Sequence, residues 1–112
     1  MDQIEINGEV YIKKVSTDTG AYVIVRTTSA GVFAVYLVRR DGQEVELSDA
    51  RRLWYWKGAA SLSQLSQSGV SAPQECKFPQ TMKVVVLTQA IEIIACSATA
   101  QKSIEGVPVW KS

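Results

Sequence analysis

The dipeptide Asp41-Gly42 lies between an apolar run, Val32 to Arg40, and the alternating segment Glu44-Val45-Glu46-Leu47. A two-residue turn with glycine accepts positive φ and matches the twist of paired strands, so this spacing predicts a β-hairpin. Asn7-Gly8 repeats the signal between Ile4-Glu5-Ile6 and Val10-Tyr11-Ile12. Tyr22 to Thr27 is a β-branched strand that Ser29-Ala30-Gly31 breaks. Ser48-Asp49-Ala50 predicts a bend into Arg51 to Lys57, an extended segment rich in aromatics. Residues 22 to 57 therefore read as a meander of short antiparallel strands.

The character of the chain changes at Gly58. Ser61 and Gln64 have capping-box spacing, Leu62 and Leu65 share a face, and Gly69 stands where a helix stops. This predicts a helix of about two turns. Pro73 and Pro79 punctuate a loop, and Lys83 to Thr88 and Ile91 to Cys96 read as two strands around a Gln89-Ala90 break. Ser97 caps a second short helix from Ala98 to Ile104, ending at Gly106, and Val107 to Trp110 forms an extended tail with Trp110 pinned to the body. The expected fold is α+β: one small β-rich domain over residues 1–112, an antiparallel meander or barrel-like sheet of about six to eight short strands with two short helices. Within it, residues 1–20 stand apart as an N-terminal hairpin.

Composition narrows the chemistry. With 112 residues and 46% hydrophobic content the chain can bury about 65% of its unfolded surface, enough for a real core. It has no histidine, which removes Ser-His-Asp and Cys-His nucleophiles and His-ligated zinc or haem. Cys76 and Cys96 lack CxxC partners and read as reduced, half-buried thiols. No cofactor and no metal are expected, and no catalytic constellation is readable. The formal net charge of +1 gives no overall attraction to nucleic acid or anionic lipid, and no apolar run reaches the length of a membrane helix. The N-terminal residues lack the pattern of a secretory signal.

Charge is nevertheless segregated. All five arginines, Arg26, Arg39, Arg40, Arg51 and Arg52, fall in the meander, and every lysine except Lys57 lies outside it. On an extended segment Arg52, Trp54 and Trp56 point to one side, and Arg51, Leu53, Tyr55 and Lys57 to the other. One reading is a recognition surface, because Trp, Tyr and Arg dominate binding hot spots. The other has Trp54 and Trp56 in the core while the arginines pair with Asp41, Glu44, Glu46 and Asp49. Lys57-Gly58-Ala59-Ala60-Ser61 also has two readings. Small residues entering a helix let an anion approach free amides, with Lys57 and Arg51 or Arg52 adding charge. A plain capped helix packed on a strand accounts for the same residues. The candidate binding residues are therefore Arg51, Arg52, Trp54, Trp56, Lys57, Gly58 and Ser61.

Several stretches appear in a fixed order: Tyr22-Val-Ile-Val-Arg-Thr27, Ser29-Ala-Gly-Val-Phe-Ala34, Ala50-Arg-Arg-Leu-Trp-Tyr-Trp56, Gly58-Ala-Ala-Ser-Leu-Ser-Gln-Leu65, Cys76-Lys-Phe-Pro79, Leu87 through Ile94, and Val107-Pro-Val-Trp110. Together they resemble a family of short proteins of unknown function encoded in tailed-bacteriophage genomes, over about residues 21–111. The resemblance implies a phage protein acting inside a bacterial host or carried in the virion, and it brings no catalytic residues. The expected function is non-enzymatic binding by occupancy in the host cytoplasm, capturing a host protein or a small anionic ligand such as a nucleotide, against host defence, with a homo-oligomer covering exposed faces. The alternative is a virion decoration or tail-associated component. A single-stranded nucleic-acid binder comes third, because acidic residues in the same meander cancel most of its charge.

Overall fold

The computed structural model describes residues 20–111. The hairpin expected at residues 4–12 lies outside the described residues.

Five strands and two α-helices follow in order: β1 (Ala21–Thr27), β2 (Val32–Asp41), β3 (Glu44–Arg52), α1 (Leu62–Ser68), β4 (Met82–Leu87), β5 (Ala90–Ala95) and α2 (Ala98–Glu105). A single 3-10 turn, Pro73–Glu75, lies between α1 and β4. The fold is α+β and β-rich as expected, with five strands among the described residues rather than six to eight. β3 absorbs two of the expected elements. Ser48-Asp49-Ala50 does not bend the chain out of the sheet but forms a bulge within it. The register steps from Ala34 opposite Arg51 to Tyr36 opposite Ser48, so β3 carries one residue more than β2 over that step. Asp49 has φ 48°, the positive-φ conformation a bulge residue can adopt. At the other end, Arg51 and Arg52 belong to β3, but residues 53–57 leave the sheet.

The strand order is β4-β3-β2-β1-β5, and every neighbouring pair is antiparallel. β4 and β5 are consecutive in the chain yet occupy opposite edges. In a flat sheet those edges would lie four strand spacings apart, about 19 Å. Three Cα steps from Leu87 to Ala90 reach at most about 11 Å. The sheet must therefore curl, and the tip of the β2–β3 hairpin folds over to meet β5. The Ala90 amide donates to the Gln43 carbonyl (3.0 Å) and the Thr28 amide to that of Gln89 (3.1 Å). The result is a partly open five-stranded barrel.

Alternation along β1 and β2 then divides the apolar side chains into two cores. Val23, Val25, Phe33, Val35 and Leu37 point into the barrel with Val45, Leu47, Ala50, Leu87 and Ala90. Ile24 and Ala34 face outward, where Leu53, Leu65, Cys76, Phe78, Ile104 and Val107 cover them. This second layer comes from α1, α2 and residues 53–81. The Ser61 hydroxyl accepts from the Gln64 amide (3.2 Å) and the Ser97 hydroxyl from the Ala100 amide (3.0 Å), so both helices start where the sequence caps them. They are riveted together: the Val70 amide donates to the Ser103 hydroxyl (3.0 Å), and a Cβ on Gly69 would collide with the Ser103 side chain. The strands between the two cores are thus buried on both faces.

Candidate aromatic groove

Where β3 leaves the sheet, the backbone is held by two different partners. The Leu53 amide donates to the Val32 carbonyl (2.8 Å), and Tyr55 forms an isolated bridge with Lys77. The alternation expected for an extended segment holds as far as Trp54; beyond it Tyr55 is exposed as well, and Trp56 is half-buried against the second core. Arg51 and Leu53 turn inward, and Trp54 stands 64% exposed. Trp54 is therefore on the surface, not in the core.

The two adjacent arginines have opposite fates. Arg51 is 5% exposed and reaches through the second core. Its Nη1 donates to the Ile104 carbonyl (2.9 Å), its Nη2 to those of Val107 (2.6 Å) and Phe78 (3.2 Å), and its Nε to that of Pro79 (3.2 Å). Ile104 lies in the last turn of α2, where carbonyls lack helical partners and favour a cation. Burial pulls the Arg51 guanidinium below its ordinary pKa, yet arginine remains charged near neutrality. Arg51 thus ties β3 to α2 and to the strand-like tail, and it does not line the groove that Arg52 faces.

Arg52 points the other way. Its guanidinium carbon lies 4.7 Å from the Phe33 ring centroid, in cation–π geometry at the open mouth of the barrel. Its Nε is buried and has no hydrogen-bond partner among the described residues. Arg52 lines a groove of about 660 Å³ with Leu53, Trp54 and Trp56. The opposite wall is Ser29, Ala30, Gly31 and Val32, and Pro79 and Trp110 close one end. That wall is stiffened from behind by a buried threonine. The Thr27 hydroxyl donates to the Gly31 carbonyl (2.8 Å) and accepts from the Ala30 amide (2.9 Å). Trp110 is positioned by its amide, which donates to the Phe78 carbonyl (3.0 Å), and remains 41% exposed. Beside the groove, the Lys77 ammonium sits 5.6 Å from the Trp110 ring and 5.8 Å from that of Tyr55.

The remaining candidates serve local structure. Lys57 is paired with Glu75 at 2.9 Å, and this hydrogen-bonded contact raises its pKa. Gly58, at φ 94°, offers its carbonyl to the Ser71 amide (3.3 Å), and a Cβ there would lie 2.5 Å from that amide nitrogen. Ser61 accepts from Gln64, whose side chain in turn accepts from the Ala60 amide (2.9 Å). The Ala60 and Gln64 amides at this helix start are thereby used within the chain. The plain capped helix is the arrangement the structure shows, and Lys57, Gly58 and Ser61 do not join Arg52, Trp54 and Trp56. Sequence reasoning missed Pro79 and the Ser29–Gly31 wall, and it treated Trp110 only as an anchor.

A second, more polar cleft of about 340 Å³ is lined by Tyr22, Tyr36, Asp49, Arg51, Thr81 and Glu105. The Gln101 amide donates to the Tyr36 hydroxyl (2.7 Å), which donates to Glu105 (3.3 Å). Among the described residues no group of three His, Cys, Asp or Glu could hold a metal ion. None of the described helices is long and apolar enough to cross a membrane.

No curated protein and no solved structure matches the chain. A family model does match, over residues 20–104, and so spans all five strands and nearly all of α2. By that match the chain belongs to the family described as a domain of unknown function, DUF6948.

Proposed function

We propose that this is a non-enzymatic binding protein, encoded by a bacteriophage, that works by occupying a partner through the Trp54 groove. The carrying observation is the groove itself: a 660 Å³ trough with three tryptophans and an arginine whose Nε lacks a partner among the described residues. Exposed aromatics joined to a stacked arginine are the residue types that concentrate binding energy. The volume lies within the range of ligand sites, about 300–1,000 Å³. The resemblance of residues 21–111 to short phage proteins supports action in the infected bacterial cytoplasm, with counter-defence as the purpose. The test is the double variant Trp54→Ala plus Trp110→Ala, compared with the unchanged protein as bait in infected-cell extract. A stoichiometric partner retained by the parent and lost by the variant is expected. Identical capture by both would overturn the role of the groove.

A second reading, a virion component, draws on a different surface. Val84 and Val86 point outward from β4 at 67% and 52% exposure, a row that copies of the chain could cover in a homo-oligomer or lattice. Mass spectrometry of purified particles decides between them, because a stoichiometric band in virions would displace the first reading.

A further inference from the structure

We infer that the groove takes an extended peptide segment in which a proline or aromatic ring lies next to one carboxylate, the carboxylate seated against Arg52. This rests on the binding reading above and names the chemistry of the partner.

Charge complementarity selects the anion. Arg52 lines the groove, and its guanidinium meets the Phe33 ring but no carboxylate or carbonyl among the described residues. The Nε itself is closed off from solvent, so a ligand oxygen meets the Nη edge of the guanidinium, which no described carboxylate or carbonyl holds. A carboxylate suits the planar fork of arginine best. No Asp or Glu lines the groove among the described residues, so none of these competes for that position.

The number of charges selects the class. Among the described residues Arg52 is the only cation lining the groove, and the walls are otherwise mostly apolar. A nucleic-acid strand or a polyphosphate requires several cations along its path. One cation among tryptophans fits a ligand with one negative charge and much apolar surface. The openness of the site selects an extended chain. Trp54 and Trp110 present exposed rings on which proline or aromatic side chains stack, as in grooves that read extended peptides. The turn held by Thr27 keeps the facing wall in place before binding, which lowers the ordering cost.

The experiment is selection of twelve-residue peptides from a displayed random library on the full chain, followed by calorimetry with synthetic peptides in acid and amide forms. The selected peptides should share Asp or Glu beside proline or an aromatic residue. Replacing that carboxylate by its amide should weaken binding about tenfold or more. Arg52→Gln should do the same, without further loss when both changes are combined, and Trp54→Ala should weaken binding comparably. Circular dichroism confirms that each variant is folded. Peptides that need Trp54 but bind equally well as amides would overturn the carboxylate assignment and leave the binding function standing. A library yielding no groove-directed peptide overturns the inference. So would oligo(dT) or a peptide of residues 1–19 competing for the groove, or Trp54-dependent self-association in sedimentation. Loss of every groove-dependent interaction would remove both the inference and the binding reading.

Discussion

Arg51 carries a positive charge into the second core and meets four carbonyl oxygens there. Removing the side chain would strand those acceptors and open a cavity between β3 and α2. Arg51→Ala is expected to lower stability by about 3–5 kcal/mol, the range for disrupting a buried charged network. Arg52→Ala should lose less than about 2 kcal/mol, because it removes one cation–π contact. Denaturant unfolding of the two variants checks the contrast. A similar contrast separates two glycines that both hold positive φ. At Gly42 a Cβ meets nothing within 4 Å, so Gly42→Ala should show only the left-handed penalty of about 1–2 kcal/mol. At Gly58 the same methyl would press on the Ser71 backbone as well, and Gly58→Ala should be clearly worse in the same melts. The sequence could not separate Arg51 from Arg52 by type. Alternation assigned them to opposite sides, but which side was interior depended on α2, more than fifty residues away.

At the scale of elements, β1 and β2 lie between the two cores, whereas β4 has an exposed outer face. Local opening of the doubly covered strands therefore approaches global unfolding. Native-state hydrogen exchange should be slowest at Val23 to Val25 and Phe33 to Val35 and faster by at least tenfold in β4. Comparable protection throughout the sheet would show that the second layer adds nothing. These same two strands were the most legible parts of the sequence, because β-branched runs bounded by Ser29-Ala-Gly31 and Asp41-Gly42 carry their own signal. The helices were legible through their Ser61 and Ser97 caps. The extent of β3 was not. A bulge at Asp49 looks like a turn in sequence, and the strand stops at Arg52 where its partner β2 begins, at Val32–Phe33. The groove was half legible: Arg52, Trp54 and Trp56 are neighbours in sequence, but Ser29–Gly31, Pro79 and Trp110 join them only through the fold.

For the whole molecule, two half-buried acids set the alkaline limit. Burial, the largest cause, raises the Tyr22 hydroxyl far above its ordinary value, with Glu105 adding to the effect. Burial alone pushes the Cys96 thiol up to about 11. Both groups are neutral in the folded chain at pH values where the unfolded chain would ionise them. Their contribution to stability is intact below about pH 9 and is lost as pH rises through 9 to 11 for the cysteine and higher for the tyrosine. Melting temperature should fall steadily above pH 9, and Cys96→Ala with Tyr22→Phe should flatten that decline. The ion pairs give the opposite expectation. Arg26–Glu92, Arg39 with Glu44 and Glu46, and Lys57–Glu75 are all largely exposed. Half-molar salt should therefore shift the melting temperature by no more than a degree or two.

The anchoring of Arg51 also has a consequence for synthesis on the ribosome. Its acceptors at Phe78, Pro79, Ile104 and Val107 all follow it in the chain, the last of them 56 residues on. Until Val107 is free of the ribosome, the nascent barrel holds a guanidinium whose ligands are incomplete. Folding is thereby deferred until Val107 has emerged. Chains ending at residue 103 should be digested rapidly by protease in a stalled-ribosome assay, while chains released at full length resist; early resistance would place the decisive step before the Arg51 contacts.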